Sequence, residues 1–239
     1  MEPIKILIVA TSQEQMGETG RKTGVWLEEL AVPYYIFKDA GAVITLASPK
    51  GGVVPLDPKS ESIIVSTSTT RRFQKDPEIS AWLSHAEVAG TLKAENYDLV
   101  FLPGGHGLMW DFPGDESLTL LLEEFYRLNK LIGATGHGVA ALLSLKSKTG
   151  EPLLKGRQLT GYSNSEEKVL GLTDIVPFPL ESSLVSLGAI YRKGPDFESH
   201  VVADSNFITG QNSSSAKEVA KQLLICLKEA AKRTAEVVY

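Results

Sequence analysis

Three segments of the chain combine glycines with side chains that can accept or donate protons. Residues 104–107 read Gly-Gly-His-Gly, residues 134–138 read Ala-Thr-Gly-His-Gly, and residues 160–167 end in Glu166 and Glu167. A histidine beside a carboxylate can act as a general acid–base pair. Adjacent glycines let backbone N–H groups face a ligand without a Cβ atom in the way, as an oxyanion hole requires. The three segments are therefore the first candidates for a catalytic site.

Two of these segments also have purely structural interpretations. A tight loop would use the same residues as the Gly-rich turn 104–107, and His106 would then only bond loop backbone. Two glutamates at the start of a helix are usually a capping or dipole feature, so Glu166 and Glu167 need no chemistry. The segment 134–138 is a more specific sign of a catalytic site, because it passes from a predicted strand to a predicted helix with almost no loop. That is the geometry of a nucleophile elbow.

The elements that would position these segments alternate between strands and helices. Mostly apolar runs predict strands over residues 5–10, 43–47, 99–102 and 131–135, and helices over residues 26–40, 117–128 and 138–145. We expect the first helix to be interrupted or bent near Pro33. Alternation of this kind favours a mostly parallel sheet covered on both faces. Ligands bind such sheets beyond the carboxyl ends of the strands, where residues 104–107 and 134–138 fall.

The later part of the chain continues with shorter strands. They are predicted over residues 159–162, 189–191, 201–203 and 207–209. The last two are separated by Asp-Ser-Asn, a turn signal that predicts a hairpin. A final amphipathic helix is predicted over residues 214–235, with Ser213 or Ser214 as its cap. Cys226 lies on its apolar stripe and is interpreted as a buried packing residue.

Residues 50–95 interrupt the alternation of strands and helices. They contain three prolines, a polar stretch over residues 66–72 and a short helix-like stretch over residues 77–85. We expect a cap insertion beside the site, within one domain that covers residues 1–239. A surface elaboration without function is the alternative.

The motifs, taken in order, resemble the DJ-1/PfpI superfamily, and within it the heat-shock-protein-31-like branch. Residues 23–33, 148–153 and 176–181 are similar to that branch as well, so the resemblance covers nearly the whole chain. It implies an α/β, flavodoxin-like fold of the class I glutamine amidotransferase type, a three-layer sandwich with a mostly parallel central sheet. It also implies the activity of glutathione-independent glyoxalases, which convert methylglyoxal to D-lactate. Homodimers are common in this superfamily, so we expect one here.

The resemblance assigns roles to particular residues. His137 would follow the nucleophile, Glu167 would be the acidic member of the triad, and Glu29 a further carboxylate that contacts the thiol. The oxyanion and substrate site would involve four positions: Gly104, Gly105, His106 and His137, with the N–H groups of Gly105 and His137 as the donors. The alternative for Glu29 is a place on a solvated helix face.

The sequence departs from the family at the nucleophile. A cysteine is expected between Thr135 and His137, and Gly136 stands there instead. A glycine has no atom that could attack an aldehyde, so the resemblance implies a glyoxalase framework that is catalytically impaired. The alternatives are a stress-protective chaperone or protein deglycase, and a pseudoenzyme that binds small molecules.

Composition limits the cellular compartments and the classes of binding partner that the sequence favours. The 239 residues include a single cysteine, which excludes an intrachain disulfide and favours a reducing, cytoplasmic environment. A net charge of −5 without blocks of like charge argues against nucleic-acid binding. No apolar run approaches the roughly 20 residues that span a bilayer. We expect a small α-oxoaldehyde or related carbonyl compound as ligand, and neither metal nor cofactor.

Overall fold

A seven-stranded sheet forms the centre of the molecule. The computed structural model describes residues 3–237, with their side chains up to residue 230. The strands lie in the order β3-β2-β1-β4-β5-β9-β8, and only β8 runs antiparallel to its neighbour. Their bounds are β1 (Lys5–Val9), β2 (Val43–Ser48), β3 (Glu87–Val88), β4 (Leu99–Leu102), β5 (Leu131–Thr135), β8 (Val201–Asp204) and β9 (Phe207–Gly210). The predicted α/β fold and the predicted hairpin are confirmed.

Helices cover the sheet on both faces. Helix α1 (Leu27–Asp39) and α8 (Ala216–Val237) pack against each other on one face, and α5 (Glu116–Arg127) packs against β5 on the other. The shorter helices are α2 (Ser68–Lys75), α3 (Pro77–Ser84), α4 (Leu108–Asp111), α6 (Asn164–Val169) and α7 (Leu180–Ser186). Because both faces are covered, all four residues of β4 are buried, as is typical of a central parallel strand.

Several boundaries differ from the predictions for physical reasons. Helix α1 runs without interruption through Pro33, in contrast to one of the two predicted outcomes. Asn212, rather than Ser213 or Ser214, caps the 3-10 turn (Ser213–Ser215) that leads into α8. Its side-chain oxygen accepts from the Ser215 hydroxyl, which in turn accepts from the Asn212 N–H. Cys226 is only half-buried, at the edge of the core instead of within it.

The predicted strand over residues 159–162 is also shorter than expected. Strand β6 (Gln158–Leu159) pairs with β7 (Ile190–Tyr191) in a separate two-stranded sheet. Beyond it the chain turns toward the end of β5, where the Tyr162 N–H donates to the Gly136 carbonyl oxygen at 3.3 Å. This turn, and not a longer strand, brings residues 160–167 to the edge of the main sheet.

Residues 50–95 pack against the start of α1. The Val25 N–H donates to the Pro55 carbonyl at 2.9 Å, and the Leu27 N–H donates to the Ser60 hydroxyl at 3.0 Å. Tyr34, Phe73 and Trp82 form an aromatic cluster that joins α1 to α2 and α3: their ring centroids lie between 4.9 and 6.5 Å apart. The predicted helix over residues 77–85 is confirmed as α3, whereas α2 falls in the stretch that had been assigned only as polar. Among the described residues, no helix has the length and hydropathy needed to cross a membrane.

Candidate active site

Two loops of the candidate site leave the sheet at neighbouring strand ends. Leu102 of β4 lies beside Ala134 of β5, so the Gly-rich turn at 104–107 and the segment at 134–138 emerge next to each other. The turn after β5 begins at once with a stretch of 3-10 helix (Gly136–Ser144), without an intervening loop. The carboxyl edge of the sheet therefore collects both glycine-rich segments, as the topology requires.

The sharp bend lies at Gly136. Its φ of +52° is in the left-handed region that favours glycine. A Cβ built on Gly136 would lie 3.0 Å from Oε2 and 3.1 Å from Oε1 of Glu29. A Cβ on Gly138 would lie 2.4 Å from the Leu102 carbonyl oxygen, so this second glycine lets the helical turn approach β4. Any side chain at position 136 would consequently point at the carboxyl group of Glu29.

Close packing leaves no room for a side chain at either of the two glycines after β4. The Glu29 carboxyl group occupies the space where a side chain of residue 104 would begin, because a Cβ on Gly104 would lie 2.3 Å from Oε2. Gly105 has a φ of +132°, and its Cβ would lie 2.3 Å from the Gly24 carbonyl oxygen. The Gly104-Gly105 pair thus seats the first turn of α1 against the end of β4.

Glu29 is a buried acid with one oxygen lacking a partner. The side chain lies in the first turn of α1 and is only 4% exposed, so the assignment to a solvated helix face is wrong. Its Oε2 atom has no hydrogen-bond partner among the described residues. Burial raises the pKa of Glu29 to about 7, against smaller lowering effects of the Thr135 hydroxyl and the Gly104 amide. Glu29 can therefore both hold and release a proton near neutral pH.

Glu167 joins two imidazole rings. Nε2 of His106 lies 2.8 Å from Oε1, and Nε2 of His137 lies 2.7 Å from Oε2. The two imidazole centroids are 4.1 Å apart, and all three side chains are buried. Burial alone would raise the pKa of Glu167, but the hydrogen bonds to His106 and His137 outweigh burial and hold the pKa well below its usual range. Burial lowers the pKa of His137 to about 4, and the nearby His106 adds to this effect. We refer to these three residues as the His–Glu–His cluster.

The neighbouring glutamate has a structural role. Ser163 caps α6, and the Glu166 carboxylate accepts hydrogen bonds from the Ser163 N–H at 3.0 Å and its hydroxyl at 2.8 Å. It also accepts from the side chains of Gln211 and Asn212 and from the Phe197 N–H. The capping interpretation is therefore right for Glu166, whereas the Glu167 carboxylate faces His106 and His137.

Tyr162 is a site residue that sequence reasoning missed. Its ring stacks on the His137 ring with centroids 4.2 Å apart and meets the edge of His106 at 6.1 Å. Tyr162 and Glu167 also line a cavity of about 240 Å³ that continues toward Leu180. The sequence signal for Tyr162 was its place in the 160–167 motif, beside the acidic residues that were the candidates.

The family follows from a comparison with known proteins. Residues 22–225 match the family model of DJ-1/PfpI. The chain belongs to the DJ-1/PfpI family. Glyoxalase 3 of Candida albicans is 30% identical over 92% of this chain and 97% of its own length. The glutathione-independent glyoxalase HSP31 of Saccharomyces cerevisiae is 28% identical over 95% of this chain and all of its own length.

Two solved structures superpose on nearly the whole chain. The Francisella tularensis Rapid Encystment Protein of 24 kDa superposes with a TM-score of 0.90 at 38% identity, over 94% of this chain and 99% of that one. The crystal structure of Candida albicans glyoxalase III gives a TM-score of 0.85 at 28% identity, over 93% of this chain and 96% of that one. The fold is therefore shared over more than nine-tenths of this chain.

Proposed function

We propose that this DJ-1/PfpI chain is the framework of a glutathione-independent glyoxalase for small α-oxoaldehydes, impaired because Gly136 stands at the nucleophile position. The observation that carries the proposal is the arrangement around that residue. A left-handed bend at the end of β5 directs position 136 at Glu29, and His137, held by Glu167, follows it directly. Relatives with names that state glyoxalase activity support the substrate class.

With a thiol at position 136 the site would have all the groups that the reaction requires. A thiolate adds to the aldehyde carbon of methylglyoxal and forms a hemithioacetal. A proton then moves from this carbon to its neighbour, which gives a thioester that water cleaves to D-lactate and free thiol. Glu29 is positioned to move the carbon-bound proton, since its unpartnered Oε2 faces position 136. The N–H groups of Gly105 and His137 would stabilise the oxyanion.

Glu167 prepares His137 for this chemistry. Because Nε2 of His137 faces the carboxylate at 2.7 Å, its proton stays on that nitrogen. The other ring nitrogen, Nδ1, is then the proton acceptor. The low pKa of His137 keeps the ring neutral at pH 7, as a base requires.

The chain offers no replacement for the missing sulfur. Gly136 cannot form the bond to the aldehyde carbon. Cys226, the single cysteine, lies in the middle of α8 and is half-buried against the core.

The test compares D-lactate formation from methylglyoxal by the parent chain, Gly136→Cys and Gly136→Ala. We expect Gly136→Cys to react at least about 100-fold faster than the parent, because a nucleophile is among the most costly groups for a catalytic site to lose. Gly136→Ala adds a Cβ without a thiol and should remain as slow as the parent. Parent turnover equal to that of Gly136→Cys would overturn the impairment, and a folded but inactive Gly136→Cys would overturn the glyoxalase assignment.

A second function is favoured by an exposed apolar stretch in residues 50–95. Ile63 and Ile64 are each 89% exposed, and Val53 and Val65 are exposed nearby. Exposed apolar surface of this kind is suited to holding unfolded chains, as a stress-protective chaperone does. Suppression of client aggregation that is lost in Ile63→Ser/Ile64→Ser and unchanged in Gly136→Cys would support this function. Equal aggregation with and without the parent chain would remove it.

A further inference from the structure

The His–Glu–His cluster has the donor set of a transition-metal site. It contributes two imidazole nitrogens and one carboxylate, and the ligand atoms of His106, His137 and Glu167 all lie within 4.8 Å of one another. Two histidines and one carboxylate form a well-known ligand set of zinc and related divalent ions. An acid–base pair requires one histidine beside the carboxylate, so the second imidazole invites a further explanation.

The spacing of the donor atoms is close to that of a coordination shell. Ligands at about 2.1 Å from a metal lie about 3.0 Å apart at right angles and about 3.4 Å apart at the tetrahedral angle that zinc prefers. The two Nε2–carboxylate distances are 2.8 and 2.7 Å, so each of these two pairs would separate by roughly 0.2–0.7 Å, and all three ligand atoms already lie within 4.8 Å of one another. An ion would take the place of the two Nε2 protons, each of which moves to Nδ1 of its own ring. Both rings remain neutral, and the Glu167 charge offsets half of the charge of a divalent ion.

The three side chains are held in place before any ion binds. His106 follows β4, His137 follows β5 and Glu167 lies in α6, so each ligand is fixed by a different element. The His137 ring is stacked against Tyr162 on one side, and the two imidazoles pack 4.1 Å apart. Side chains that are already ordered lose little conformational entropy on binding. Of the three ligands, Glu167 also lines the neighbouring cavity of about 240 Å³.

We propose that His106, His137 and Glu167 bind one divalent transition-metal ion of the zinc class through two Nε2 atoms and the carboxylate. Without a thiol at position 136, the donor set consists of nitrogen and oxygen alone. The ion occupies the same atoms that carry out acid–base chemistry, so binding also withdraws His137 and Glu167 from proton transfer.

Histidine ring spectra of the parent chain give the most direct test. The chain has only four histidines, and His85 and His200 lie outside the cluster. In long-range ¹H–¹⁵N spectra at pH 7, zinc chloride in a non-coordinating buffer should shift the Nε2 signals of two histidines and saturate at one equivalent. The other two histidines should not move. Because the experiment uses the parent chain, it does not depend on whether a variant folds or on any catalytic activity.

Variants then assign the two signals and measure the contribution of each ligand. We expect His106→Ala and His137→Ala to weaken zinc binding in calorimetry by at least about 10-fold, since loss of even an outer-shell partner has effects of that size. His85→Ala is the matched control and should bind like the parent. Thermal unfolding without metal establishes that each variant is folded. Shifts at His85 or His200, no saturation near one equivalent, or parent-like binding by folded His106→Ala and His137→Ala would overturn the proposal.

Discussion

Glu29 and Glu167 are two buried carboxylates of the same site in opposite electrostatic states. Glu29 has an oxygen without a partner, and burial raises its pKa to about 7. Glu167 accepts from two imidazoles, which hold its pKa well below the usual range despite burial. Burial alone therefore does not determine the charge of a carboxylate in this site; its hydrogen-bond partners do. In the proposed reaction, this difference suits Glu29 to carry a proton and Glu167 to remain a fixed negative charge.

The largest expected effect comes from removing the fixed charge. In the Gly136→Cys background, Glu167→Gln should lower the rate of D-lactate formation by about 10²- to 10⁴-fold, the usual contribution of a positioned acid–base group. The Gln amide is uncharged and has one accepting oxygen in place of two, so it cannot accept hydrogen bonds from the Nε2–H groups of both imidazoles. Initial rates with methylglyoxal measure the effect. Glu151→Gln, on the surface, is the control. Equal losses of rate in both variants would show that the charge of Glu167 has no specific role in the reaction.

The next effect concerns stability and comes from Glu29. A carboxyl group with a raised pKa binds its proton more tightly in the folded chain than in the unfolded one. Its contribution is therefore fully present below about pH 4.5 and is lost as the pH rises through about 7. Gln does not titrate, so Glu29→Gln removes this loss. The free energy of unfolding of the variant minus that of the parent should therefore rise by about 3 kcal/mol from pH 4.5 to pH 8. Urea unfolding at the two pH values measures the gain.

A surface glutamate provides the matched control for that experiment. The ion pair with Lys155 holds the pKa of Glu151 below its ordinary value, so Glu151→Gln should give no gain in stability at alkaline pH. A free energy difference between Glu29→Gln and the parent that stays constant from pH 4.5 to pH 8 would show that Glu29 is not a buried neutral acid.

The smallest effect separates the backbone of Gly136 from its contact with Glu29. Gly136→Ala should destabilise the fold by about 2 kcal/mol, because a left-handed residue with a Cβ costs roughly 1–2 kcal/mol and the new atom presses on the carboxyl group. Gly20 has a similar φ of +70° and open space around its Cβ position. Gly20→Ala should therefore show the backbone cost alone. Equal free energies of unfolding for the two variants would mean that the Glu29 contact is unimportant.

The elements built from local patterns were predictable, and those built from distant contacts were not. Apolar runs located the central strands, and the Asp-Ser-Asn turn located the β8–β9 hairpin. Nothing in the sequence around residues 158–162 indicates that β6 pairs with β7 rather than extending further. Pairing of that kind depends on tertiary packing, which local propensity does not encode.

The candidate site also combines features that local sequence patterns predict with features that depend on distant contacts. The motifs named His106 and His137, because each sits beside glycines after a strand, and Glu167, because it ends the 160–167 segment. The second imidazole on Glu167 and the stacking of Tyr162 on His137 depend on how three loops meet, which no segment shows by itself. The choice between a solvated and a buried Glu29 likewise required the position of α1 against Gly104.

We propose that a thiol at position 136 is the one group that this site lacks. The most direct measurement is the rate of D-lactate formation from methylglyoxal by the parent chain and by Gly136→Cys under identical conditions. We predict that Gly136→Cys forms D-lactate at least about 100-fold faster than the parent. A folded Gly136→Cys chain that is no faster than its parent would contradict it.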